Sequence, residues 1–235
     1  MQLLRRMGLD PEHPQAYKAC QQLLEGGYKK GGGLSFAKTV SHIDLGVNGL
    51  VLSILAYFRY PDQRLHAVVE FLLDQQQRDG SWLPEPGLER LQYIFAGTML
   101  VLDGLREYEK RYTSSSAQIV DAQIKGREFL LSQNLFRLIG SNEIIDQKLT
   151  RFSFPPRWHY DVLVALDYFQ DCRAEKDARL NDAIELLKSK RRKDGRWNLQ
   201  NRHPGKTYFE MEVVGQPSRW NTLRALRVLK WWEEG

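Results

Sequence analysis

Two stretches of the chain repeat one another at a constant spacing. Asp62, Arg64, Leu65, Glu70, Leu72, Asp79, Gly80 and Trp82 recur as Asp177, Arg179, Leu180, Glu185, Leu187, Asp194, Gly195 and Trp197, each 115 residues later and without a gap. A fixed-offset repeat marks stacked supersecondary units, none of which can bury its apolar face alone. One irregular core would not impose it. The 235 residues, 42% of them hydrophobic and six of them tryptophan, are enough for one such array in a single domain, residues 1–235.

The pattern inside the repeats is helical. From Asp44, the residues Val47, Leu50, Val51, Ile54, Leu55 and Phe58 follow the three-and-four spacing of a helix apolar on most sides. Leu91–Tyr108, Tyr160–Phe169 and Ser218–Trp232 read the same way. Pro14–Glu25, Leu65–Gln77, Gln118–Asn134 and Leu180–Arg191 carry narrower apolar stripes. Apolar helices belong inside and striped helices outside, so the expectation is about four outer–inner helix pairs curving into a solenoid or toroid. Leu52–Phe58 matches Leu163–Phe169, and Leu223–Leu226 matches more weakly. Leu3–Met7 reads as the tail of an inner helix, with Gly8–Pro11 matching the turn Arg59–Asp62, so the array starts mid-repeat. The segment from Leu135 to Trp158 has no helical period and reads as an extended crossing ended by Pro155 and Pro156.

No apolar run reaches the ~18–20 residues that span a bilayer. Met1–Gly8 places charge too close to too short an apolar stretch for a signal peptide. Cys20 and Cys172 form neither a metal-type spacing nor a disulfide framework, which points to a reducing, cytoplasmic setting. The net charge of +5 admits an anionic partner. The basic run Lys188–Lys193 ends an outer helix, where cations favour the dipole. It lacks the interleaved aromatics of a nucleic-acid surface and reads as a solvated face or a peripheral membrane contact. Arg224, Arg227 and Lys230 suggest that one face of the last helix is wet or meets a partner.

Gln75-Gln76-Gln77-Arg78-Asp79-Gly80-Ser81-Trp82 resembles the QW repeat of terpenoid cyclases, the squalene–hopene and oxidosqualene cyclase relatives. These share an α/α toroid with the protein prenyltransferase β subunits. Lys193–Asn198 is a second, less glutamine-rich copy, and Arg151–Asp161 looks similar to small bacterial prenyltransferase or squalene-cyclase-like proteins. The resemblance implies an all-α fold, an incomplete α/α toroid, and an apolar or isoprenoid ligand in a central cavity. The motif itself has a physical role: glycine reverses the chain, aspartate bonds turn amides, and tryptophan plugs the gap between repeats.

The family's chemistry is only partly matched. Protonating an alkene takes an Asp-x-Asp-Asp cluster, and the chain contains no Asp-Asp pair. Asp171-Cys172-Arg173-Ala174-Glu175 is similar to a squalene–hopene cyclase variant of that cluster, but it follows an inner helix instead of opening one. The Asp-Asp-x-x-Asp motif that holds magnesium on a prenyl diphosphate does not occur. For the prenyltransferase zinc, Asp44 and His159 stand at matching places, but Gly46 replaces the cysteine. Two ligands fall short of the three a catalytic zinc takes, and His42 is the only further donor nearby. Zinc and magnesium are therefore unsupported, and no catalytic residue is assigned.

One cluster could hold a ligand. If inner helices run parallel, their N-termini share one end of the cavity. They bring His42, Asp44 and Asn48; Arg157, Trp158, His159, Tyr160 and Asp161; and Arg219, Trp220 and Asn221. Free N–H groups, Arg157, Arg219 and His159 would suit a phosphate or carboxylate, while the aromatics would wall an apolar tail. The alternatives are structural: Asp44 and Asp161 as helix-start carboxylates, Arg157 with Asp161 as an i, i+4 ion pair, His159 as a hydrogen-bonded residue. Two functions follow: a terpene-cyclase-like protein holding an apolar or isoprenoid ligand, or a non-catalytic repeat scaffold that meets a protein partner at its open ends.

Overall fold

The computed structural model describes residues 1–36, 43–83, 90–112, 117–141, 143–205, 207 and 209–234. The chain is mostly helical: α1 (Gln2–Arg6), α2 (Pro14–Gly27), α3 (Leu45–Tyr57), α4 (Arg64–Asp74), α5 (Leu91–Arg111), α6 (Ala117–Ser132), α7 (Val162–Asp171), α8 (Asn181–Ser189) and α9 (Arg219–Glu234). Among the described residues, strand is confined to the antiparallel pair Trp197–Asn198 (β1) with Pro217–Ser218 (β2) and to isolated bridges. The stretch without helical period contains the 3-10 turn Gln147–Thr150. No helix among the described residues is long and apolar enough to cross a membrane.

The chain gathers into two compact units, Met1–Phe129 and Leu130–Gly235, with the change inside α6. In the first unit α3 and α5 meet backbone to backbone. A Cβ on Gly49 would lie 2.5 Å from the Leu100 carbonyl oxygen, and one on Gly104 would lie 2.5 Å from that of Gly49. Larger residues would force the two helices apart. The short α1 is tied to α5 by an ion pair between buried Arg5 and Asp103. In the second unit α9 packs on α7, and Asp167 receives Arg224 at 3.3 Å and Arg227 at 2.8 Å. This corrects the reading of the α9 cations as one wet face: Arg224 is only 4% exposed and belongs to the core, while Arg227 and Lys230 are exposed.

The repeat is a repeat of hydrogen bonds. Trp82 and Trp197, both fully buried, donate Nε1–H to the carbonyls of Leu72 and Leu187, each at 2.7 Å. Their backbone N–H groups donate to Thr98 Oγ1 at 3.1 Å and Thr222 Oγ1 at 3.0 Å. Asp79 accepts from Ser81 N at 2.9 Å, and Asp194 from Arg196 N at 3.1 Å. Gly80 and Gly195 take φ of +89° and +81°, the left-handed region open to glycine at no steric cost.

A third copy has no sequence signature. Lys29 N donates to Gly33 O as Gln77 N does to Ser81 O and Arg192 N to Arg196 O. Gly32 has φ of +93°, and Leu34 stands where the other copies have tryptophan. Its N–H donates to Asn48 Oδ1 at 2.6 Å in place of a threonine hydroxyl. The helix ends preceding each turn also repeat. Gly8, Arg59 and Arg173 all have positive φ, and the next residue's N–H closes a 6→1 bond onto Leu4, Leu55 and Phe169. That cap sets the helix register: Arg59 matches Arg173, 114 residues on, so the sequence match of Leu52 with Leu163, 111 apart, is out by about one helical turn.

Candidate functional site

The starts of α3, α7 and α9 were expected to offer free N–H groups to a ligand. Each is filled by a carboxylate of the chain. Asp44 accepts from Val47 N at 2.9 Å, Asp161 from Val164 N at 2.9 Å, and Glu212 from Arg219 N at 2.7 Å. An acidic side chain at a helix start satisfies an unpaired donor and the dipole together. One amide at each of these helix starts is thereby in use, and a carboxylate of the chain stands where an anion would meet the dipole.

In the first unit, Asn48 is fully buried. It clamps the Leu34 turn, donating to Leu34 O at 2.8 Å and Asp44 O at 2.7 Å. His42 lies outside the described residues.

In the second unit, buried Asp161 has a second task. Its Oδ2 accepts from Ser153 N at 3.0 Å and Ser153 Oγ at 2.9 Å, fixing the extended chain on the start of α7. Ser153 Oγ also lies 3.1 Å from His203 Nε2. A serine between a carboxylate and an imidazole has the composition of a hydrolase triad but not its order, since there the imidazole is central. The hydroxyl's one proton goes to Asp161, so His203 donates Nε2–H to Ser153 and no base faces the hydroxyl. Ser153 is 1% exposed and cannot serve as a nucleophile toward an outside substrate.

Around that core lies a half-open rim. His159 and His203 stack face to face, ring centroids 3.7 Å apart and 13° from parallel. Trp158 continues the stack, 5.4 Å from His159, and is 54% exposed. Arg157 has φ of +53°, a conformation unusual for a side-chain-bearing residue, and donates to Pro204 O at 2.7 Å. It thus turns to the His203 loop and not to Asp161. Burial, then the neighbouring imidazole, then Arg157 push the His203 pKa down to about 4. Burial and Arg157 lower that of His159, against an opposing pull from Asp161. Both imidazoles are neutral near pH 7, beside a permanent cation.

The remaining sequence-nominated residues divide into buried and open. Tyr160 is buried and donates to Leu135 O at 2.8 Å, and burial pushes its phenol well above the usual range. Trp220 stacks on Phe154 at 5.0 Å. Asn221 is buried and donates to Phe152 O at 3.3 Å and Asn198 O at 3.2 Å, one position before Thr222, the counterpart of Asn48. The side chain of Arg219 is 81% exposed, and its guanidinium Nε lies 3.8 Å from Oε1 of the Glu212 carboxylate. Among the described residues no three His, Cys, Asp or Glu side chains gather in a metal-binding group. His203, Ser153 and Glu212 were missed by sequence reasoning. They lie outside helical stretches, where no apolar period points to single residues, although Ser153 falls within the Arg151–Asp161 stretch that carries the resemblance.

No family model matches the chain, and no curated protein matches it.

Proposed function

We propose that the second unit binds an anionic amphiphile of the isoprenoid diphosphate class, at the rim formed by Arg157, Trp158, His159 and His203. The observation that carries this reading is the imidazole stack. Two neutral histidines, each with its pKa lowered, lie beside a strained arginine and an exposed tryptophan. Perturbed pKa values and strained backbone concentrate at functional sites. An anionic head would meet Arg157 and draw a proton onto the stack, while Trp158 gives an apolar tail a face. Arg219 is a further cation on the same unit. The isoprenoid class and the toroidal closure of the repeats come from the QW-type resemblance, a cytoplasmic setting from the two unpatterned cysteines, and all three are part of the same proposal. Catalysis is not part of it.

Isothermal titration with farnesyl diphosphate tests the reading. Arg157→Ala is expected to weaken binding tenfold or more, with Arg219→Ala as a second probe. Equal affinity in wild type and Arg157→Ala would refute the site.

A further inference from the structure

The three glycine turns each make a landing place for a helix, and two of them are filled. At the first turn a Cβ on Gly32 would lie 2.3 Å from the Ala67 carbonyl oxygen of α4. At the second, a Cβ on Gly80 would lie 2.2 Å from the Lys125 carbonyl oxygen of α6. Both helices place a phenylalanine one turn further on, Phe71 and Phe129, the second of which packs on Phe95 at 5.4 Å. At the third turn, the nearest atom to a Cβ on Gly195 is the Arg191 side chain at 3.6 Å. No helix of the described residues lies on it.

Solvent exposure follows the same division. The residues that anchor the turns are Asn48, Thr98 and Thr222. Four positions after each stands a leucine. Leu52 and Leu102 are fully buried, but Leu226 is 45% exposed. One position after each, Met99 is 4% exposed in the second copy, whereas Leu223 is 48% exposed in the third. At the second copy, Gly126 of α6 lets that helix sit on Leu102 and Trp82: a Cβ there would lie 2.8 Å and 2.9 Å from them.

The open place is basic. Gln76, Gln77, Arg78 and Ser81 of the second copy become Arg191, Arg192, Lys193 and Arg196 in the third. The one carboxylate of that turn, Asp194, is already bridged by Arg192 and Arg196. Phe95, which receives Phe129, is replaced by Arg219.

We propose that the turn Arg192–Trp197 and the exposed face of α9 dock an amphipathic, acidic helix of a protein partner. That helix would present a small residue over Leu226 and a carboxylate toward Arg219. Arg219 aside, this surface shares no residue with the rim assigned to the ligand. It gives the basic run Lys188–Lys193 a use that a solvated face does not.

Fluorescence anisotropy of a labelled peptide tests it on the full chain. The probe is the sequence of residues 117–132 carrying Lys125→Glu and Phe129→Glu. It is expected to bind at least tenfold more tightly than the unaltered sequence and to weaken as salt is raised. Leu226→Asp, at an exposed position, should weaken it tenfold or more without moving the melting temperature. No binding at 1 mM, or equal binding to Leu226→Asp, would overturn the proposal. So would concentration-dependent dimerisation abolished by Leu226→Asp, which would make the occupant a second copy. Adsorption to phosphatidylserine vesicles, abolished by the same change and without peptide binding, would make the face a lipid surface and would also overturn it.

Discussion

The tryptophan of each repeat is held at two points, and the second is invisible to a motif. Nε1–H reaches back to the outer helix, while the backbone N–H reaches forward to a threonine hydroxyl on the inner helix, Thr98 or Thr222. Thr222→Val keeps the side-chain shape and leaves the N–H of a buried residue unmade, a loss of ~1–3 kcal/mol. Thr98→Val should cost a similar amount if the copies are equivalent, and urea unfolding of both variants checks this. The roles of Asp79, Gly80 and Trp82 were readable from their residue types. Asn48 and Asn221 were nominated as ligand contacts because they open inner helices. Asn48 spends both amide ends on backbone, and Asn221 donates its amide to the Phe152 and Asn198 carbonyls. Residue type gave the side chain's capacity, but only packing decided which partner used it.

Among the elements, the helices were legible because their apolar period is strong. Their caps were legible where an aspartate precedes the apolar run, as at Asp44 and Asp161. The turn copy at Gly32 was not, since Leu34 replaces tryptophan and Gly31-Gly32-Gly33 replaces the Asp-Gly signature. The copies also differ in load. Gly80 carries α6, whereas Gly195 has only an arginine side chain near it. Alanine at either position meets the left-handed strain of about 1–2 kcal/mol. Gly80→Ala must in addition displace a helix backbone, a further ~1–3 kcal/mol. Thermal melts are expected to rank Gly80→Ala well below Gly195→Ala. Equal losses would show that the two turns carry equal loads.

On the scale of the whole molecule, acid acts in two windows. His203 is bound neutral, with its pKa pushed from an ordinary 6.5 down to about 4, so the unfolded chain takes up a proton first. Stability therefore falls as pH drops from about 6.5 to about 4 and is not lost further below that by this group. Asp62 and Asp177 act oppositely in origin. Hydrogen bonds from Arg64 and Arg179 hold their carboxyls below the usual 3.8, so their contribution is full above that value and goes only as pH falls further. The melting temperature of wild type should drop between pH 6.5 and 5, and His203→Gln should flatten that part of the curve. An unchanged slope would mean that the stack is not the titrating element.

The claim that the rim is a ligand site is tested most directly by watching its two histidines. Histidine-selective NMR on the full chain, titrated with farnesyl diphosphate at several pH values, reports on His159 and His203 individually. Both signals should shift saturably, and both apparent pKa values should rise, because a bound anion stabilises the imidazolium. Saturable binding detected by calorimetry that leaves both signals and their pKa values unmoved would place the ligand elsewhere and contradict the account.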